Sequence, residues 1–320
     1  MKVFFSFVIF SFSAPLSLPL INPESRWTQN GLTVAGGNGQ NSALNQLDDP
    51  WNLFVDDDQT VYVADRSNHR IIKWKEGATS GEVVAGGNGQ GDRNDQLNRP
   101  VNIIIDKETD SLIICDYGNK RVVRWPRQNG TEGETIISNI NCWGLALDDA
   151  GAIYVSDLTK QEVRRYEKND TEGVLLAGGN GRGKHLDQLN GPYYIVVDRD
   201  RTVYISDCNN HRVVKWKQGT RKGIMVAGDT DYGKGLSELS GPFGIVVDQT
   251  STIYVADCNN NRIMRWFKGA TEGSIVVGNN GTGKRPHQFN CPCALAFDQF
   301  NNLYVVDNNN HRVQRFNLDT

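Results

Sequence analysis

Asp and Arg recur five residues apart in five loops: Asp65 with Arg70, Asp116 with Arg121, Asp207 with Arg212, Asp257 with Arg262, and Asp307 with Arg312. Histidines stand in three of the same loops, at His69, His211 and His311. A carboxylate and an imidazole within one turn could serve acid–base chemistry, and histidines with carboxylates could hold a metal. The spacing argues for a plainer role. A group present in nearly every copy of a repeat is what each copy needs in order to fold, whereas a site is grafted on once. An Asp at a turn accepts backbone N–H bonds, and Arg ties a loop to its neighbour through a fork of donors. Zinc needs its ligands within about 2.0–2.1 Å, and histidines dispersed over copies one, four and six do not converge. His185 and His287 lie in other loops. No catalytic residue, metal ligand or cofactor is expected.

Two further patterns carry a chemical reading that their context removes. The segments AGGNGQ at 35, AGGNGQGD at 85 and AGGNGRGK at 177 look like phosphate loops. A dinucleotide site needs a helix after its glycines, and here each segment runs on to QL and another strand. The acidic hairpins VDDDQ (55–59) and VDRDR (197–201) lack the ligand spacing of a dedicated calcium loop. The balance of 34 basic against 37 acidic residues shows no basic excess for a nucleic-acid partner.

These loops are positioned by one recurring stretch, seen best as YISDCNNHRVVKW at 204–216. Its Asp falls at Asp65, Asp116, Asp157, Asp207, Asp257 and Asp307, at intervals of 51, 41, 50, 50 and 50 residues. Each copy holds four short runs rich in Val, Ile, Tyr and Trp, as in PYYIVVD, TVYISD, HRVVKW and GIMVAGD of the fourth. Such runs, parted by Gly and Asp clusters, read as four antiparallel strands, here called a to d from the centre outward. A period of this length with four strands marks a β-propeller. Five copies end in a d strand; the sixth stops at FNLDT, and the missing strand, GLTVAGGNG, stands at 31–39 ahead of the first copy. The expectation is an all-β, six-bladed propeller over 31–317 whose N-terminal strand closes the last blade and removes its open edge.

Residues 1–17 have the layout of a secretory signal peptide: Lys2, an apolar run from Val3 to Phe12, then small residues. Residues 18–30 would be a short linker. The mature protein is expected to be a secreted monomer with no stable membrane insertion. Six cysteines allow 15 pairings, and ring geometry chooses among them. Cys208 and Cys258 are equivalent positions in adjacent blades, too far apart to bond. A d–a connection passes over the b–c loop of the blade it leaves, so Cys115–Cys142 and Cys258–Cys291 are expected to pair, leaving Cys208 and Cys293 free. Sequons stand at Asn129, Asn169 and Asn280, the first two in c–d turns.

The pattern P-x-x-hydrophobic-x-hydrophobic-D followed by YV-x-D-x-x-N-x-R resembles the NHL repeat. The resemblance covers roughly 31–317 and implies a six-bladed propeller. The third copy departs, with Lys160, Gln161 and Glu162 where the others have Asn, His and Arg. An amidating lyase with NHL-like blades holds zinc on channel histidines, but the a strands here contain no His. The resemblance implies a binding or scaffold module, not an enzyme. The alternative is a metal-dependent lyase- or lactonase-like enzyme with a channel site, for which Asn52 and Asn102 are the hint.

What breaks the repeat marks the candidate site. At the start of strand a stand Trp51 and Asn52, Asn102, Trp143, Tyr193 and Tyr194, and Phe243. The b–c and d–a loops share one face, and these residues lie at its centre. They are expected to bind a protein or glycan ligand.

Overall fold

The computed structural model describes residues 19–319; the signal-peptide reading lies outside them. Six four-stranded antiparallel sheets stand in a ring, with a seventh, two-stranded sheet at its edge. The fourth blade is representative: Pro192–Val197, Val203–Asp207, Arg212–Trp216 and Ile224–Gly228 pair in that order. Blade 6 takes Pro292–Phe297, Leu303–Asp307 and Arg312–Phe316 from the C-terminus and Leu32–Gly36 from the N-terminus, with Leu32 opposite Arg315 and Gly36 opposite Arg312. The ring therefore closes on a strand from the far end of the chain.

The core lies between blades. Every b strand is buried along its length, because neighbours cover both of its faces, and so reads as continuous Val, Ile, Tyr and Ala. Strand c ends in a large aromatic, and Trp74, Trp125, Tyr166, Trp216, Trp266 and Phe316 are all buried. Each such ring lies against the backbone that opens strand d, which is why a glycine stands there. A Cβ on Gly273 would come within 2.7 Å of Trp266, and one on Gly31 within 2.7 Å of Phe316.

The Asp–Arg pairs are the fasteners of this design. Asp257 accepts from Ser240 N at 2.7 Å, from Asn260 Nδ2 at 2.8 Å and from Arg262 Nε at 2.7 Å. Arg262 spends its other nitrogens on Lys234 O, Gly235 O and Glu238 O, at 2.9, 2.9 and 3.0 Å. One buried ion pair thus pins the b–c loop to the d–a loop that enters the same blade, with its donors and acceptors satisfied. The same bonds recur at Asp65, Asp116, Asp207 and Asp307. Burial raises these carboxyls above their usual range, opposed by the hydrogen bonds and the paired Arg. In blade 3, Asp157 accepts only from Thr159 N and Lys160 N, while the buried Glu162 pairs with Arg164 Nε at 2.7 Å.

The histidines fasten one blade to the next. His69, His211 and His311 each hold the left-handed position that ends the b–c turn. Their Nδ1 atoms accept Arg99 N at 3.1 Å, Gly241 N at 3.2 Å and Asp49 N at 3.3 Å, all on the connection into the following blade. Asn261 Oδ1 and Gln161 Oε1 do the same for Cys291 N and Gly191 N. Between blades 2 and 3 the equivalent residue is Lys120, whose side chain has no acceptor to offer. There Cys115 and Cys142 are bonded, as are Cys258 and Cys291 between blades 5 and 6. Cys208 and Cys293 are buried free thiols.

Residues 19–30 are packed against the ring. Arg26–Trp27 pairs with Leu318–Asp319, and Ile21 and Trp27 are buried. Trp27 donates from Nε1 to Asn301 O at 2.8 Å and meets Tyr254 edge-on at 6.0 Å. The stretch that the sequence presents as a linker is a clasp over blades 5 and 6.

Candidate functional site: the central channel

Strand a lines the channel, and its second residue points to the mouth among the b–c and d–a loops. Four of the six residues there are aromatic, and they close on one another. Trp51 meets Trp143 at 5.0 Å, Trp143 meets Tyr193 at 4.9 Å, Tyr193 meets Phe243 at 5.0 Å, and Phe243 returns to Trp51 at 5.2 Å. The contacts are edge-on or tilted, which suits the ring quadrupoles. Two of them, Trp51 to Trp143 and Trp51 to Phe243, each reach past an intervening blade. Tyr117 adds a fifth ring against Trp143 at 5.0 Å. Trp143 is buried, while Trp51, Tyr193 and Phe243 keep part of their surface open.

A polar group stands beside this ring. The Arg66 guanidinium lies 5.9 Å from the Trp51 ring centre and is paired with Asp49. Asp49 also accepts from Asn308 Nδ2 at 2.9 Å. Arg66, Tyr117 and Asn308 were not singled out in the sequence, yet a signal was present. They follow the repeated loop Asp, where the other blades carry Leu158, Cys208 and Cys258; that position varies as freely as the aromatic one.

Two of the expected ligand-binding residues are buried below the mouth surface, and a third, Tyr194, is half-buried beside them. Asn52 and Asn102 are 1% and 2% exposed, one step below the aromatic ring. Tyr194 stands at the same level in blade 4, across the channel from Asn52, and faces it. The Asn52 amide is the side-chain partner of the Tyr194 hydroxyl, while Asn102 Oδ1 is buried without a protein partner. Burial pushes the Tyr194 phenol up to about 12, opposed by Asn52, so it stays a neutral donor. Gly244 lets blades 5 and 6 approach closely at this level; a Cβ on Gly244 would come within 2.6 Å of Ala294 Cα.

The three sequons separate in the same way. Asn129 and Asn169 are exposed in c–d turns on the opposite face. Asn280 donates from Nδ2 to His287 O at 3.1 Å, repeating a brace made by Asn38, Asn88 and Asn180. Its amide serves the d–a loop.

The six sheets define an all-β, six-bladed propeller. Its residues 47–74 and 289–316 match the NHL repeat, and the chain carries NHL repeats on that propeller. No curated protein matches the chain significantly. Solved structures share the fold at low identity. An auxiliary nutrient binding protein from Bacteroides ovatus is 15% identical, with a TM-score of 0.67 over 93% of this chain and 78% of that one. A gluconolactonase from Xanthomonas campestris is 14% identical, with a TM-score of 0.63 over 95% and 97%. Virginiamycin B lyase from Staphylococcus aureus is 12% identical, with a TM-score of 0.56 over 92% and 100%.

Proposed function

We propose that the protein is a secreted, monomeric binding module whose protein or glycan ligand meets the channel mouth. The observation that carries this is the closed ring of Trp51, Trp143, Tyr193 and Phe243, flanked by the Arg66–Asp49 pair. Rigid aromatic area beside a guanidinium is what binding hot spots are made of. Among the described residues no three His, Cys, Asp or Glu side chains gather as a metal centre would require. Two disulfides suit an oxidising compartment, and the exposed sequons Asn129 and Asn169 leave this face clear.

The test is retention of a partner, recovered on the immobilised protein, by Arg66→Ala combined with Tyr193→Leu. These changes remove the cation and the phenol while keeping apolar volume in the ring. Binding should fall at least tenfold with the melting temperature within a few degrees of the parent. A folded double variant that binds normally, beside loss of binding on changes next to Asn129 or Asn169, would move the partner to the other face.

A further inference from the structure

Asn–Gly pairs stand at 30–31, 38–39, 88–89, 129–130, 180–181, 190–191 and 280–281. In such a pair the glycine nitrogen can attack the preceding asparagine Cγ, because glycine has no Cβ to hinder the approach and turns freely. The fold restrains all of them but one. Asn38, Asn88, Asn180 and Asn280 commit Nδ2 to Asn45 O, Asp95 O, Asp187 O and His287 O at 2.9, 3.1, 3.1 and 3.1 Å. Their own carbonyls accept from Gln46, Gln96, Gln188 and Gln288 Nε2 at 2.8, 2.9, 3.0 and 2.9 Å. The peptide that must rotate is thus held on both sides. Gly31 N donates to Pro286 O at 2.9 Å and Gly191 N to Gln161 Oε1 at 2.6 Å, so those nitrogens are occupied.

Asn129 is held by none of these devices. It is exposed in the c–d turn of blade 2 with φ +55°. Among the described residues, neither its amide nor Gly130 N has a hydrogen-bond partner. The other c–d turns differ at the same place. Ala78 N, Asp170 N, Thr220 N and Ala270 N close theirs on Lys75 O, Glu167 O, Lys217 O and Phe267 O, at 3.0, 3.0, 3.2 and 2.9 Å. Asn169 is the counterpart of Asn129 in blade 3, equally exposed and left-handed at φ +66°. The nitrogen that follows it is the bonded Asp170 N.

We propose that Asn129 is a modification site, where the chain rearranges spontaneously to isoaspartate. Gly130 N passes its proton to hydroxide and attacks Asn129 Cγ. The N–Cγ bond forms, the Cγ–Nδ2 bond breaks, and Nδ2 leaves as ammonia with a proton from water, closing a succinimide. Water then opens that ring. Opening at the main-chain carbonyl leaves isoaspartate, with the chain running through Cγ; opening at Cγ leaves aspartate. Water enters, ammonia leaves, and nothing is oxidised or reduced. Isoaspartate lengthens the turn beside Gly130 O, which accepts Trp125 Nε1 at 3.1 Å, and so disturbs the anchor of a buried core ring. A glycan on Asn129 excludes the reaction, because it takes the same Nδ2. The site lies on the face opposite the mouth and does not depend on the function proposed there.

The test uses Thr131→Ala, which removes the sequon and leaves the Asn–Gly pair intact. The purified variant is incubated at mildly alkaline pH in water enriched in heavy oxygen. Peptide mapping follows the conversion, with isoaspartyl methyltransferase labelling as a second readout. The peptide holding 129–130 should convert first, about tenfold faster than those holding the other pairs, whose hydrogen bonds must open before the ring can close. The peptide holding Asn169 should lag as well. In denaturant the Asn–Gly pairs should react at similar rates. Asn129→Gly gives blade 2 the glycine that Gly77, Gly219 and Gly269 supply in blades 1, 4 and 5, and should remove most of the label. Protein glycosylated at Asn129 should not react there. An inert Asn129, conversion of a braced pair at the same rate, or a lead for Asn129 that persists in denaturant would each overturn the inference.

Discussion

Gly241→Cys should create a third disulfide, with Cys208, across the seam between blades 4 and 5. The template is the next seam. Cys258 follows the loop Asp of blade 5 as Cys208 follows that of blade 4, and Cys291 stands 33 residues after Cys258 as Gly241 does after Cys208. The Cα atoms of Cys258 and Cys291 are 4.3 Å apart. Gly241 has φ +61°, and Cys291 already holds φ +59°. A Cβ at 241 would come within 2.7 Å of Asn259 Nδ2, the mobile end of a side chain. Closing a loop of this length removes chain entropy equivalent to about 3–4 kcal/mol. A side chain in the left-handed region costs about 1–2 kcal/mol. The net gain is about 2 kcal/mol, or roughly 3 °C in melting temperature for a chain of this size. Burial pushes the Cys208 thiol up to about 12, so the folded protein oxidises slowly and the bond must form during oxidative refolding. The assay is free-thiol titration in denaturant, non-reducing peptide mapping, and melts with and without reductant. Two free thiols persisting, or a 208–241 bridge that lowers the melting temperature, would refute the equivalence of the seams.

Arg262→Ala should strand the buried Asp257 and three backbone carbonyls, lowering stability by about 3–5 kcal/mol. Chemical denaturation checks this, and a loss under 1 kcal/mol would mean that the pair does not fasten the loop. His69→Asn with His211→Asn should flatten the dependence of melting temperature on pH between 7 and 5. Each Nδ1 accepts an N–H and must stay unprotonated. Burial lowers both imidazoles below 6.5, helped at His69 by Arg99 and Arg66 against Asp116, and at His211 by Lys184 against Asp257, Asp207 and Asp231. The folded state then binds fewer protons than the unfolded one, so this stability is present above 6.5 and is lost as pH falls through the lowered folded value. The raised carboxyls act in the opposite direction and are common to both proteins, so the difference isolates the imidazoles. Asn261 shows that an amide can hold the same bond; equal slopes in variant and parent would refute the assignment.

Much of this protein was legible in its sequence because a propeller is built from local rules repeated. Strand runs, turn glycines and the loop Asp recur near every 50 residues, and from them come the six blades, the closing strand at 31–39 and the two cysteine pairs. Ring geometry follows from the period, so residues far apart in the chain could still be matched. What does not recur left no such trace. Trp51 meets Trp143 and Phe243 past intervening blades, and Tyr194 meets Asn52 from the opposite side of the ring. Arg66 turned towards Asp49 because a single loop position lies within reach of the mouth. The Nδ1 bonds of the histidines and the clasp of Trp27 on Tyr254 likewise join segments with no shared pattern. A repeat specifies each blade and its neighbours; which side chains meet across the axis depends on the sizes of all six residues at one level, and only the closed ring brings them together.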